Sequence, residues 1–303
     1  MVSDNPNIVA RVIYVTLFVV LIFAISTNIS FSPVRFNSAD KAFLVVDQIN
    51  AVENKVALVG LEYGPGTQAE NDPQARVVLE HLFRKNIPVI VFTTYALAEK
   101  FTTNTPESIA LQINSERLSN NPNETDLITY GKNWINLGYR PGGALFFQAL
   151  SQSKDLATYL GKDYKGQLLS SYKNFANIKS LNDVSIVGYF SGLVGILNTY
   201  IQFLQINGTV PIMVHGCTSI SIPETFIFLE SGQLKGLLEG VAGAAWYSKL
   251  LRQKYGIDIP SSAESANSIL GIGQIFILIL IVLGNLVSLK NNFYHGKIKN
   301  VTK

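Results

Sequence analysis

Residues Lys55–Thr67, KVALVGLEYGPGT, constrain this chain more than any other stretch. An apolar run, Val56 to Leu61, is closed by the turn Gly64-Pro65-Gly66, and a helical pattern follows from Pro73. A short continuous apolar run bounded by turn residues is the signature of a strand buried on both faces. Ile87–Phe92 repeats it after one helix, so the two runs predict a βαβ unit.

Three further runs extend the pattern: Trp134–Leu137, Val184–Val187 and Val210–Val214. Between them lie amphipathic stretches. Ala42, Val45, Val46, Ile49 and Val52 follow helical spacing behind Ser38 or Asp40 as cap. Asp72-Pro73 reads as a cap with proline at the first helical position, and Ala75, Val78, Leu79 and Leu82 form its buried stripe. Two weaker helices are expected at Leu97–Phe101 and Pro106–Leu118, an exposed loop at Ser119–Asp126, and a helix striped by Leu193, Ile196, Leu197, Tyr200 and Leu204. The expectation is a three-layer, Rossmann-like α/β domain with a mostly parallel sheet of about five strands.

Charge sets the environment. Only 15% of the 303 residues are charged, against roughly 25% in soluble domains. The shortfall lies at the two ends, in Val12–Ile25, which extends both ways if Ile8 and Ile29 are counted, and in Ile269–Leu289, and each can supply the roughly 20 residues that cross a bilayer core. Both are expected to be transmembrane helices. Ala24-x-Ser26 could be a signal cleavage site, but few basic residues precede the run, which favours an anchor. Lys290, Lys297, Lys299 and Lys303 after the second run outweigh Arg35 and Lys41 after the first, placing both termini in the cytoplasm. The expected division is an anchor at 1–30, a periplasmic, lumenal or extracellular domain at 31–258, and linker, second span and tail at 259–303.

A net charge of +3 without a basic, aromatic-interleaved patch argues against nucleic acid as a partner. Cys217 is the only cysteine, so there is no intrachain disulfide. Three scattered histidines and one cysteine make no metal set.

In open parallel sheets, ligands bind beyond the carboxyl ends of the strands. Those ends here carry Gly64, Gly66 and Thr67; Thr93 and Thr94; Tyr139, Arg140 and Gly142; and His215 to Ser219. Turn residues collect in such loops without any ligand. Gly64-x-Gly66-x-x-Ala69 formally fits a dinucleotide fingerprint, but Pro65 removes an amide and Thr93-Thr94 offers no acid for a ribose, so no cofactor is expected. Glu62, His215 and Cys217 are the candidate catalytic residues. A lone small cysteine packs more commonly than it reacts.

Gly232, Gly236, Gly240, Ala244 and Ser248 recur every four residues in what reads as one long helix, Gly232 to Lys254. Each interior glycine costs about 0.8–1.0 kcal/mol of helix propensity. A close backbone neighbour, from this chain or a second subunit, would offset that cost. These features point to a non-catalytic interaction or scaffolding subunit of a membrane complex, with the bilayer and other membrane subunits or a second copy as partners. A small-molecule-binding protein or hydrolase using the strand-end cleft is the alternative.

Overall fold

The computed structural model describes residues 6–26, 31–52, 54–193, 195–205 and 211–301. Val210, the expected start of the fifth strand, and the side chains of Lys290, Lys297, Lys299 and Lys303 lie outside the described set. The chain divides into two compact units, Pro33–Ala263 and, separately, Met1–Ser32 with Glu264–Lys303.

Pro33–Ala263 is built on one all-parallel sheet: β1 (Val56–Glu62), β2 (Val89–Thr93), β3 (Trp134–Tyr139), β4 (Val184–Ser191), β5 (Ile212–Cys217) and β6 (Gly236–Glu239). Their order is β3-β2-β1-β4-β5-β6, so the winding reverses between β1 and β4, the switch point of a doubly wound sheet. All seven residues of β1 are buried, because the strand is covered on both faces. One face carries a core from α2 (Asn37–Gln48), α3 (Gln68–Arg84), α4 (Glu99–Asn120) and α9 (Gly240–Tyr255). The opposite core is formed with α5 (Ala144–Gln152), α6 (Leu156–Leu160), α7 (Ile196–Leu204) and α8 (Ile222–Glu230).

The sheet has six strands rather than five. The sixth is hidden in the expected Gly232–Lys254 helix: Gly232 lies in a turn at φ +77°, Gly236–Glu239 is β6, and α9 starts only at Gly240 with φ +54°. The four-residue spacing therefore makes no continuous ridge. Gly236 does meet another backbone. A Cβ there would sit 2.2 Å from Ala42 Cα on α2, so only glycine lets helix and edge strand approach this closely.

Three helix boundaries also differ from expectation. α3 begins at Gln68, with Pro73 inside it, and Asp72 accepts bonds from Tyr63, Arg76 and Thr105 instead of capping. The two weak helices are one, α4, with Pro106 inside it. Ser38 and Asp40 lie within α2 rather than capping it: Ser38 Oγ donates to Glu239 at 2.6 Å, and Trp246 Nε1 donates to Asp40 at 2.6 Å.

In the other unit, α10 (Ser262–Val301) contains Ser262–Leu286, long and apolar enough to cross a membrane. Among the described residues, the apolar part of α1 (Pro6–Ser26) is the shorter Ala10–Ser26. Within this unit Phe31 N donates to Ser268 Oγ at 2.9 Å.

Candidate functional site

The strand register places Glu62, Ser191, Cys217 and Glu239 in one row across the carboxyl end of the sheet. Glu62 is the acid at the switch point and is fully buried. Its Oε1 accepts from Thr94 N at 2.9 Å, Thr94 Oγ1 at 2.9 Å and Tyr200 OH at 3.0 Å. Its Oε2 accepts from Thr94 N at 3.1 Å and Thr93 Oγ1 at 3.2 Å. Burial raises the Glu62 pKa, and these donors pull against it by stabilising the carboxylate.

Tyr200 reaches Glu62 from α7 because Gly60 has no side chain: a Cβ at Gly60 would lie 2.1 Å from the Tyr200 hydroxyl oxygen. Aromatic rings fill the surrounding face. Phe147 and Tyr189 lie 4.3 and 4.1 Å from Tyr200 between centroids, and Tyr189 stacks on His215 at 4.6 Å and 14°. At loop level Gly192, just after β4, is held between its neighbours. A Cβ there would sit 2.4 Å from Thr67 Cγ2 and 2.9 Å from Thr218 Cγ2, so the loops after β1, β4 and β5 touch across the switch point.

The three catalytic candidates do not form a working set. His215 lies on β5, two strands from β1, a lateral separation of about 10 Å. Its Nδ1 donates to the Tyr189 carbonyl at 2.8 Å, and burial lowers its pKa to about 4, so the ring is neutral at pH 7. Burial pushes the Cys217 thiol up to about 12, which keeps it protonated and a poor nucleophile.

The candidate ligand residues fall into two groups. Thr93 and Thr94 hold Glu62, and Gly64 packs on Tyr95, whose Cε1 lies 3.0 Å from where a Cβ would be. Thr67 packs on Gly192, and Gly66 is exposed. The second group lies at the end of β3. Tyr139 is its exposed last residue, Arg140 N donates to Thr93 O at 2.7 Å, and Gly142, at φ +115°, turns the chain into α5. The Arg140 guanidinium donates to the Lys162 carbonyl.

Of the interaction candidates, Gly236 packs on Ala42. Gly240 lies against Ser219 and Glu70, Ala244 is in the core, and Gly232 is half-buried. Among the described residues, no group of three or more His, Cys, Asp or Glu side chains is placed to hold a metal ion.

Several residues that organise the site carry no signal of it in the sequence. Gln74 Nε2 reaches the carbonyls of Cys217, Gly240 and Leu238 at 2.7, 3.0 and 3.1 Å, tying α3 to the ends of β5 and β6. Tyr200 reads as one more stripe residue. Gly192 and Thr218 become meaningful only once their loops are seen to meet. Comparison with protein-family models, curated proteins and solved structures finds no match for this chain.

Proposed function

We propose that this chain is a membrane-anchored, non-catalytic interaction or scaffolding subunit: a Rossmann-like domain on the extracytoplasmic side, held by two spans with both termini cytoplasmic. The observation that carries the reading is the filled switch point. Where doubly wound sheets present an open crevice, this one holds Tyr200 over Gly60, Glu62 bonded to Thr93, Thr94 and Tyr200, and Gly192 between Thr67 and Thr218. A general acid or base must reach the proton it transfers, and both Glu62 oxygens are bonded to the chain itself. The apolar stretch Ser262–Leu286 supports membrane attachment, and the lysines that follow support the sidedness.

Gentle-detergent extraction followed by native mass determination tests the subunit role. The reading predicts a particle containing more protein than one 33.3 kDa chain; a lone chain would overturn it. Membrane-impermeant thiol labelling of cysteines placed at Asn123 and Asn300 tests the sidedness. Labelling of Asn300 from outside would reverse it.

A further inference from the structure

Four of the six strands are followed, at their carboxyl ends, by large apolar side chains that point into solvent. Leu97 after β2 is 60% exposed, Tyr139 and Leu145 at the end of β3 are 38% and 71% exposed, Leu193 after β4 is 39% exposed, and Ile220 after β5 is 89% exposed. All strands are parallel, so these loops share one edge of the sheet. Scattered exposed apolar residues are ordinary, but a set drawn from successive loops on a single edge makes a surface.

The chain's own connections say what meets that edge. Ser38 donates to Glu239, the last residue of β6, so the polypeptide enters Pro33–Ala263 at the same edge. Only about ten residues separate Ser26, the end of apolar α1, from Asn37, a reach of at most about 40 Å. The chain leaves at Ser261, hydrogen-bonded to Ser248 at 2.7 Å. Ser248 is two turns into α9, about 12 Å along the helix from that edge. The membrane-length apolar stretch begins at the next residue, Ser262. The entry connection thus lies at the rim and the exit about midway along the 16-residue α9, whereas Asn123, in the loop after α4, belongs to the opposite edge beside Asn86 and Asp126.

We propose that the carboxyl edge of the sheet docks on the lipid bilayer, with Leu97, Tyr139, Leu145, Leu193 and Ile220 entering the boundary between headgroups and acyl chains. Side chains presented singly from several loops suit a fluid interface, which needs no matching groove. The proposal rests on membrane attachment and not on the subunit role, so either can fail without the other.

The test uses the full chain, with Cys217→Ala to leave one reactive thiol, reconstituted in vesicles of phosphatidylcholine and phosphatidylglycerol. Nitroxide labels are placed one at a time at Leu145, Ile220, Asn123 and Ile277, the last an exposed position of α10. Collision with oxygen relative to a water-soluble nickel chelate should be several-fold higher at Leu145 and Ile220 than at Asn123, and should approach the value at Ile277. Brominated phosphatidylcholine should quench the Ile220→Trp variant more strongly than the unsubstituted chain, whose Trp134 and Trp246 set the background, a second readout free of the label. If Ile277 reports lipid while Leu145 and Ile220 match Asn123, docking is refuted and attachment stands. An aqueous Ile277 refutes both. Rim labels that are aqueous in pure lipid but shielded in the extracted native complex also overturn the proposal, in favour of a protein partner.

Discussion

Tyr200 on α7 donates its phenolic hydrogen to Glu62 on β1 at 3.0 Å, and it can do so only because Gly60 leaves room for the hydroxyl. Removing the acid should expose what this contact is worth. Glu62→Ala leaves the Thr94 N–H, the Thr94 hydroxyl and Tyr200 without their acceptor, while the Thr93 hydroxyl keeps the Tyr95 carbonyl at 3.2 Å. Each unsatisfied buried donor costs about 1–3 kcal/mol, so denaturant unfolding should show a loss of about 3 kcal/mol or more. Glu62→Gln keeps the shape and one acceptor oxygen and should lose distinctly less.

Gly60 and Tyr200 should be coupled. Gly60→Ala alone drives a methyl into the Tyr200 hydroxyl, and overpacking of this kind costs typically about 1–3 kcal/mol. Tyr200→Phe alone removes a buried hydrogen bond to the Glu62 carboxyl, a contribution of about 0.5–1.5 kcal/mol. In the double variant the clash is reduced, because the nearest remaining ring atom lies 3.0 Å from the added carbon instead of 2.1 Å. The double-mutant cycle should therefore show the pair losing less than the sum of the singles. Simple additivity would mean that Tyr200 does not sit over Gly60.

Buried histidines should make the protein sensitive to mild acid. His81 and His215 are held near pKa 4 in the fold, chiefly by burial, against 6.5 for a free histidine. Above pH 6.5 both are neutral whether the chain is folded or not, and stability is full. As pH falls from 6.5 towards 4 the unfolded chain takes up protons that the fold cannot, so stability is lost, by about 2 kcal/mol per histidine at pH 5. The carboxyls of Glu62, Glu80 and Glu239, whose pKa values burial raises, work in the opposite sense. Comparison with His215→Asn isolates the histidine effect. That variant should lose less stability than the wild type between pH 7.5 and 5, and equal losses would contradict the assignment.

Gly236 should be the least tolerant small residue of β6 and α9. A methyl at Gly236 meets Ala42 backbone at 2.2 Å, which cannot yield as a side chain can. Gly236→Ala should cost about 1–3 kcal/mol as a fall in thermal midpoint of the full chain in detergent. Ala244→Ser, in the core on α9, serves as a milder comparison.

Five of the six strands are legible in the sequence for a physical reason. Central parallel strands are buried on both faces, so Val56–Leu61 and Ile87–Phe92 read as unbroken apolar runs. The sixth is only Gly236–Glu239, and the glycines around it at 232, 236 and 240 happen to fall at helical spacing. Local propensity cannot separate a four-residue strand from a helical turn when tertiary contact decides the outcome. Asp72-Pro73 misled for a related reason: a distant tyrosine and threonine, Tyr63 and Thr105, occupy the carboxylate that would have capped. At the site, Glu62 stands out as an acid at a strand end. That its hydrogen bonds are internal depends on the reach of Tyr200 from a helix more than 130 residues away, which no local pattern records.

The chain's own groups close the switch point around Glu62, and carbodiimide labelling of carboxyl groups in the full chain tests this closure most directly. Glu99 and Glu230 are exposed and act as internal references for reaction rate. The account predicts that Glu62 stays unmodified under conditions that label both. Glu62 labelling at a rate comparable to theirs would show an open, accessible acid at the strand ends, and would contradict the non-catalytic reading.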